Sequence, residues 1–128
     1  MLNLEPIKDR LASCEAVLAA YLLGSAARGE LRASSDIDIA LLPQPGQKIS
    51  GMQLFDLAGE LNLISPRPVD LGVLSSSDLI YASQVLQTGR RFFCRDETAA
   101  EFRECTLIGM IQDYRIEMRE IYEAYSAR

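Results

Sequence analysis

Two short apolar runs, Val17 to Leu23 and Ile37 to Leu42, bracket a pattern that leaves few folds open: Gly24-Ser25, ten residues, then Asp36-Ile37-Asp38. Runs of this length and content read as strands. Gly24-Ser25 is then a sharp exit from the first strand, where backbone N–H groups and a hydroxyl can meet phosphate oxygens. Only a small residue lets a phosphate come that close. Asp36 and Asp38, two apart at the head of the second run, project from one strand face, and Ile37 and Ile39 from the other. Two acceptor-only carboxylates pushed together repel unless a cation lies between them. Hard oxygen ligands of this sort suit a magnesium ion that also holds substrate phosphates. The bland alternative is a turn followed by a solvated Asp pair at a strand edge.

A third acid follows in Pro66-Arg-Pro-Val-Asp-Leu-Gly-Val-Leu74. The prolines end whatever precedes, and a short β-branched and apolar run follows with Asp70 as its polar interruption. A charge inside an otherwise buried strand is costly unless paired or bound to metal. The competing reading is that Asp70 caps a turn or pairs with Arg67.

Composition narrows the function classes. With 128 residues, 48% of them hydrophobic, one domain spanning 1–128 is expected, with no room for a second. A net charge of −5 argues against a nucleic-acid surface, and so against a template-directed polymerase. The chain has no histidine, which excludes imidazole as base or ligand and leaves carboxylates for proton transfer. Cys14, Cys94 and Cys105 are odd in number and widely spaced, as expected of reduced intracellular thiols. Met1-Leu-Asn-Leu-Glu-Pro6 has no leader pattern, and no run approaches membrane-spanning length, so a cytoplasmic protein is expected.

The order of elements is α/β. Pro6 suits a first helical turn, with Ile7, Leu11, Cys14 and even Leu18 at helical spacing. Past the breaker cluster Pro43-Gln-Pro-Gly46, the residues Met52, Leu54, Phe55, Leu57, Ala58 and Leu61 fit a helix starting near Ser50. Ser75 to Asp78 offer N-caps for Leu79, Ile80, Ala82, Val85 and Leu86, and Gly89 is placed to end that helix in a left-handed conformation. Arg90 to Cys94 fits a strand or an extended link. From Asp96 onward a long final helix is expected. Its apolar positions Phe102, Cys105, Ile108, Ile111, Tyr114, Met118, Ile121, Tyr122 and Tyr125 wander round more than one stripe, so either part of it faces another subunit or partner, or it is ordinary core plus a frayed tail.

The spacing Gly24-Ser25, ten residues, Asp36-x-Asp38, with Arg28-Gly29 and strand pattern on both sides, resembles the signature of the nucleotidyltransferase superfamily that includes DNA polymerase β. It is similar in particular to its smallest form, the minimal nucleotidyltransferase (MNT) proteins. Four fixed residues at a background of roughly 5–7% each recur by accident in on the order of one in a thousand chains this short. The resemblance is sharp over residues 21 to 42 and at Asp70. It implies a small mixed β-sheet of the nucleotidyltransferase type flanked by helices. By the same resemblance Asp36, Asp38 and Asp70 hold two magnesium ions, and Asp70 also takes the proton from the attacking hydroxyl. Gly24 and Ser25 hold the triphosphate of ATP. Arg28 reaches a phosphate oxygen, unless it is a surface residue or a partner of Glu30. Ala26 stands where a longer, often basic, residue is common in the family. Larger relatives carry a second domain for the acceptor, whereas MNT proteins of this size are similar to antitoxin partners of HEPN-domain ribonuclease toxins. In that setting the enzyme places AMP on a tyrosine of the toxin. Two rivals remain open: an antitoxin that inhibits by binding alone, and transfer to a small hydroxylated molecule such as an aminoglycoside.

Overall fold

The computed structural model describes residues 3–30 and 35–127; Met1, Leu2 and Ser34 therefore lie outside the described residues. The elements are α1 (Glu5–Ala12), β1 (Val17–Leu23), α2 (Gly24–Ala27), β2 (Ile37–Pro43), α3 (Gly51–Ile64), β3 (Val69–Val73), α4 (Leu79–Thr88), β4 (Arg90–Cys94) and α5 (Glu97–Ser126). The four strands form one mixed sheet in the order β3-β2-β1-β4. β2 and β3 run parallel, joined through α3, and β1 is antiparallel to both of its neighbours. The expected mixed sheet with flanking helices and a long last helix is what forms.

The two motif-bearing runs become the central strands because they are apolar on both faces. Alternation sends Ile37, Ile39 and Leu41 to the side covered by Ile7 and Leu11 of α1 and Leu57 and Leu61 of α3. Ala40 and Leu42 go to the other side, against Val85 of α4 and Ala100 and Leu107 of α5. Each fully buried aliphatic side chain contributes about 1.5–3 kcal/mol, so this double-sided burial fixes which way the acids between them face.

Polar side chains set the helix boundaries. Ser50 and Gln53 form a reciprocal capping box, the Gln53 N–H donating to Ser50 Oγ at 3.1 Å and the Ser50 N–H to Gln53 Oε1 at 2.9 Å. Asp78 and Asp96 cap α4 and α5 by accepting from the Tyr81 and Ala99 N–H groups. Asn62, in the last turn of α3, clasps the start of β3: its side-chain amide donates to the Val69 carbonyl at 3.1 Å, and its Oδ1 accepts from the Val69 N–H at 2.9 Å. Arg95 closes the end of α1, its Nη2 donating to the carbonyls of Leu11, Ala12 and Cys14.

Several expectations are corrected. Leu18 belongs to β1, since α1 stops at Ala12. Gly89 is extended, at φ −78° and ψ 158°, instead of left-handed. Glycine is needed there for close approach: a Cβ would lie 2.5 Å from the Val85 carbonyl oxygen. Met52 and Phe55 of α3 are exposed, and only Leu57 and Leu61 are buried. Helical spacing alone does not say how wide the covered stripe is. In α5 burial is confined to Ala100, Leu107 and Ile111. Beyond Ile111 the helix continues with Ile116, Met118, Ile121, Tyr122 and Tyr125 all exposed.

Candidate active site

The parallel register sets Asp38 of β2 directly beside Asp70 of β3, and the antiparallel register sets Leu23 of β1 on the other side of Asp38. Asp36 lies two residues back along the same chain, just ahead of β2. Strand alternation therefore gives all three carboxylates the face that α4 and α5 cover farther along. Burial pushes the Asp38 carboxyl above its usual range, and the negative charges of Asp70 and then Asp36 push it the same way. The Asp38 carboxyl thus feels both of the other acids.

One premise changes. β3 is not an otherwise buried strand: it is the sheet edge, only Val69 in it is buried, and Asp70 is exposed. Desolvation acts on Asp38 instead.

Gly24 takes φ +59°, a backbone conformation that disfavours any side chain. A Cβ there would stand 3.6 Å from Asp38 Oδ2, so the bend faces the central carboxylate across a gap that glycine keeps open. The exit read as a turn is one turn of helix, α2, with Ser25 in its first half. Arg28 lies just past it, and its Nε donates to Glu30 Oε2 at 3.1 Å in a solvent-exposed pair. Of the two readings of Arg28, the pairing with Glu30 is the one the structure contains.

The sequence reading missed Tyr81. This half-buried side chain of α4 lies over Gly72 of β3, where an added Cβ would meet its hydroxyl oxygen at 2.2 Å. Burial, then the charge of Asp38, raises the Tyr81 phenol above its usual range. The readable signal was Gly72, since an isolated glycine inside a strand marks close approach by another group. Two larger clefts, of about 810 and about 1080 Å³, are lined by none of the three acids.

The donor set suits a divalent cation in kind, being hard, anionic and on one face, with Asp38 held above its normal range by burial and then by its neighbours. The cage is not preformed: among the described residues no three carboxylates already converge on one ligating point.

A four-stranded mixed sheet in this order, with strand-borne acids beside a glycine bend, defines a nucleotidyltransferase domain. The family model "Polymerase beta, Nucleotidyltransferase" matches residues 5–98, and the chain belongs to that family. It is 32% identical over 84 residues to the spectinomycin 9-adenylyltransferase of Staphylococcus aureus, covering 61% of this chain; it spans about a third of the length of that relative, 32%. Among solved structures, it is similar to a chain of a toxin–antitoxin complex with AMP-PNP, at 26% identity and TM-score 0.77, over 98% of this chain and 99% of that one. The fold is also shared, at 24% identity and TM-score 0.71 over 94% of this chain and 93% of the other, with a complex of a tri-AMPylated Shewanella oneidensis HEPN toxin and its MNT antitoxin.

Proposed function

We propose that this protein is a magnesium-dependent adenylyltransferase antitoxin that moves AMP from ATP to a tyrosine hydroxyl of a HEPN ribonuclease toxin. The observation that carries this reading is the Asp38 carboxyl, flanked by Asp70 and Asp36 and facing the Gly24 bend. It is supported by the likeness over nearly the whole chain to a toxin–antitoxin component seen with AMP-PNP.

In this reading Gly24 and Ser25 receive the triphosphate, with Arg28 turning from Glu30 to a phosphate oxygen. Asp36, Asp38 and Asp70 would hold two magnesium ions, which when bound neutralise charge on the phosphates and on the entering and leaving oxygens. The acceptor oxygen bonds to the α-phosphorus, the bond from that phosphorus to the α–β bridging oxygen breaks, and pyrophosphate leaves. The phenolic proton passes to the Asp70 carboxylate. Positioning by two adjacent strands supplies much of the rate. Residues 1–128 act as one domain. Among the described residues no helix is long and apolar enough to cross a membrane. The three free cysteines support a cytoplasmic setting.

A second reading, transfer to a small hydroxylated molecule, is favoured by the match to the spectinomycin enzyme. One experiment separates them: incubate the protein with magnesium-ATP and either a co-expressed HEPN partner or spectinomycin, and weigh the products. An AMP adduct on a partner tyrosine supports the antitoxin. An adduct on spectinomycin alone replaces it with the second reading, and inhibition of an unmodified partner replaces it with a binding antitoxin.

A further inference from the structure

Across the acid-bearing face the register fixes the order Leu23 of β1, Asp38 of β2, Asp70 of β3. The Gly24 bend continues β1, so it flanks Asp38 on one side, and Asp70 flanks it on the other. A cavity of about 330 Å³ opens over Asp38 and Asp70, reaching from Leu23 of β1 past Ile39 to Leu71 and Gly72 of β3, with Tyr81 beside it. Neither Gly24 nor Ser25 lines it. Apart from the two carboxylates its walls are aliphatic and aromatic. Its volume sits at the bottom of the range of about 300–1,000 Å³ for ligand clefts, room for one ring and too little for a nucleotide.

Phosphoryl-group displacement keeps the entering and leaving oxygens roughly in line. If the departing pyrophosphate lies toward the Gly24 bend, the entering oxygen comes from the opposite side of Asp38. Most of this cavity's lining, Asp70, Leu71, Gly72 and the Tyr81 that lies over Gly72, is on that side. We propose that the cleft between Tyr81 and Leu71 is the acceptor subsite, and that it takes a phenol ring presented by the target with its hydroxyl directed at Asp70. The assignment rests on the transfer reading above. Tyr81 supplies the aromatic wall, and Gly72 is what lets the hydroxyl end of its ring come close to β3. Among the described residues no hydrogen bond engages the Tyr81 hydroxyl, which leaves it available to the incoming side chain. The same apolar walls discriminate against a serine or threonine acceptor, which would leave the cleft unfilled.

Two measurements test this. With methyl-labelled protein bound to magnesium and AMP-PNP, titration with N-acetyl-tyrosinamide should shift the Leu23 and Leu71 methyl resonances, and N-acetyl-serinamide should not. Tyr81→Ala should abolish those shifts, and Tyr81→Phe, the conservative variant, should keep most of them. This readout needs no transfer, so it stands or falls apart from the function proposed above. In transfer assays Tyr81→Ala should raise the KM for a tyrosine-bearing acceptor roughly threefold to tenfold, as loss of one aromatic pair predicts. Its affinity for AMP-PNP should stay within about twofold. Shifts of Leu23 and Leu71 caused by AMP-PNP alone, with a weakened nucleotide affinity in Tyr81→Ala, would assign the cleft to the nucleobase and overturn the proposal. So would tyrosinamide shifts confined to other residues.

Discussion

The Tyr21 hydroxyl, in the middle of β1, donates a 2.7 Å hydrogen bond to Glu104 of α5, and the same carboxylate accepts from Arg91 of β4 at 2.7 Å. One side chain thus ties the last helix to two strands of the sheet. Glu104→Ala leaves a buried phenol and a partly buried guanidinium without their acceptor. We expect a loss of about 2 kcal/mol in urea unfolding, against a few tenths for an exposed acid such as Glu120.

The same cluster predicts a pH dependence. Burial first, then the bond to Glu104, holds the Tyr21 phenol far above its usual value. The folded protein keeps this proton, whereas the unfolded chain gives it up above pH ~10. Tyr21's contribution is therefore complete below that pH and lost as pH rises past it, with a limiting slope of about 1.4 kcal/mol per pH unit. Unfolding free energies from pH 9 to 11.5 should fall less steeply in Tyr21→Phe than in wild type. Parallel curves would refute the assignment.

At the carboxylates, Asp36→Ala should reduce AMP transfer on the order of a hundredfold or more, with the thermal midpoint in the absence of metal unchanged or slightly raised. Magnesium should raise the midpoint of the wild type and not of Asp36→Ala. Asp70→Asn relieves the repulsion on Asp38, so without metal it should be at least as stable as wild type. A variant at position 36 that transferred AMP at the normal rate would end the mechanism.

Gly24→Ala forces an L side chain to φ +59°, at a cost of about 1–2 kcal/mol, and aims a methyl at the Asp38 carboxylate. The loss in AMP-PNP affinity should exceed the loss in stability, because the methyl occupies the gap that a phosphate would enter. Calorimetric titration beside chemical denaturation measures both.

Gly72 and Tyr81 should behave as a coupled pair. Gly72→Ala places a methyl into the Tyr81 ring and should cost about 1–3 kcal/mol, and removing that ring in Gly72→Ala/Tyr81→Ala should return part of the loss. Additive single-site effects would mean that the two do not meet.

The parts of this fold that could be read from the chain are those where a local rule decides alone. Alternation around Ile37 and Ile39 gave the strand face of Asp38, and Ser50, Asp78 and Asp96 announced their helices because a side-chain acceptor is worth having only there. Asp70 was legible between prolines and apolar residues, but its exposure was not, because an edge strand and a central one share the same letters. Tyr81 escaped notice since its role depends on α4 crossing β3, a relation between segments distant in the sequence. Gly89 does end α4, but in an extended conformation, and the constraint that asks for glycine there is the Val85 carbonyl, which no local pattern shows. The exposed far half of α5 left its apolar residues legible and their purpose open.

The clasp between Asn62 and both polar groups of Val69 has a consequence for how this domain tolerates change. Because Asp70 is the very next residue, a one-residue slip of β3 past this clasp would turn that acid to the opposite side of the sheet, among aliphatic side chains. Length variation in segment 63–68 is thus buffered only as long as the amide grip survives. A lineage or an engineer that edits this stretch without preserving position 62 edits the placement of Asp70 from a distance.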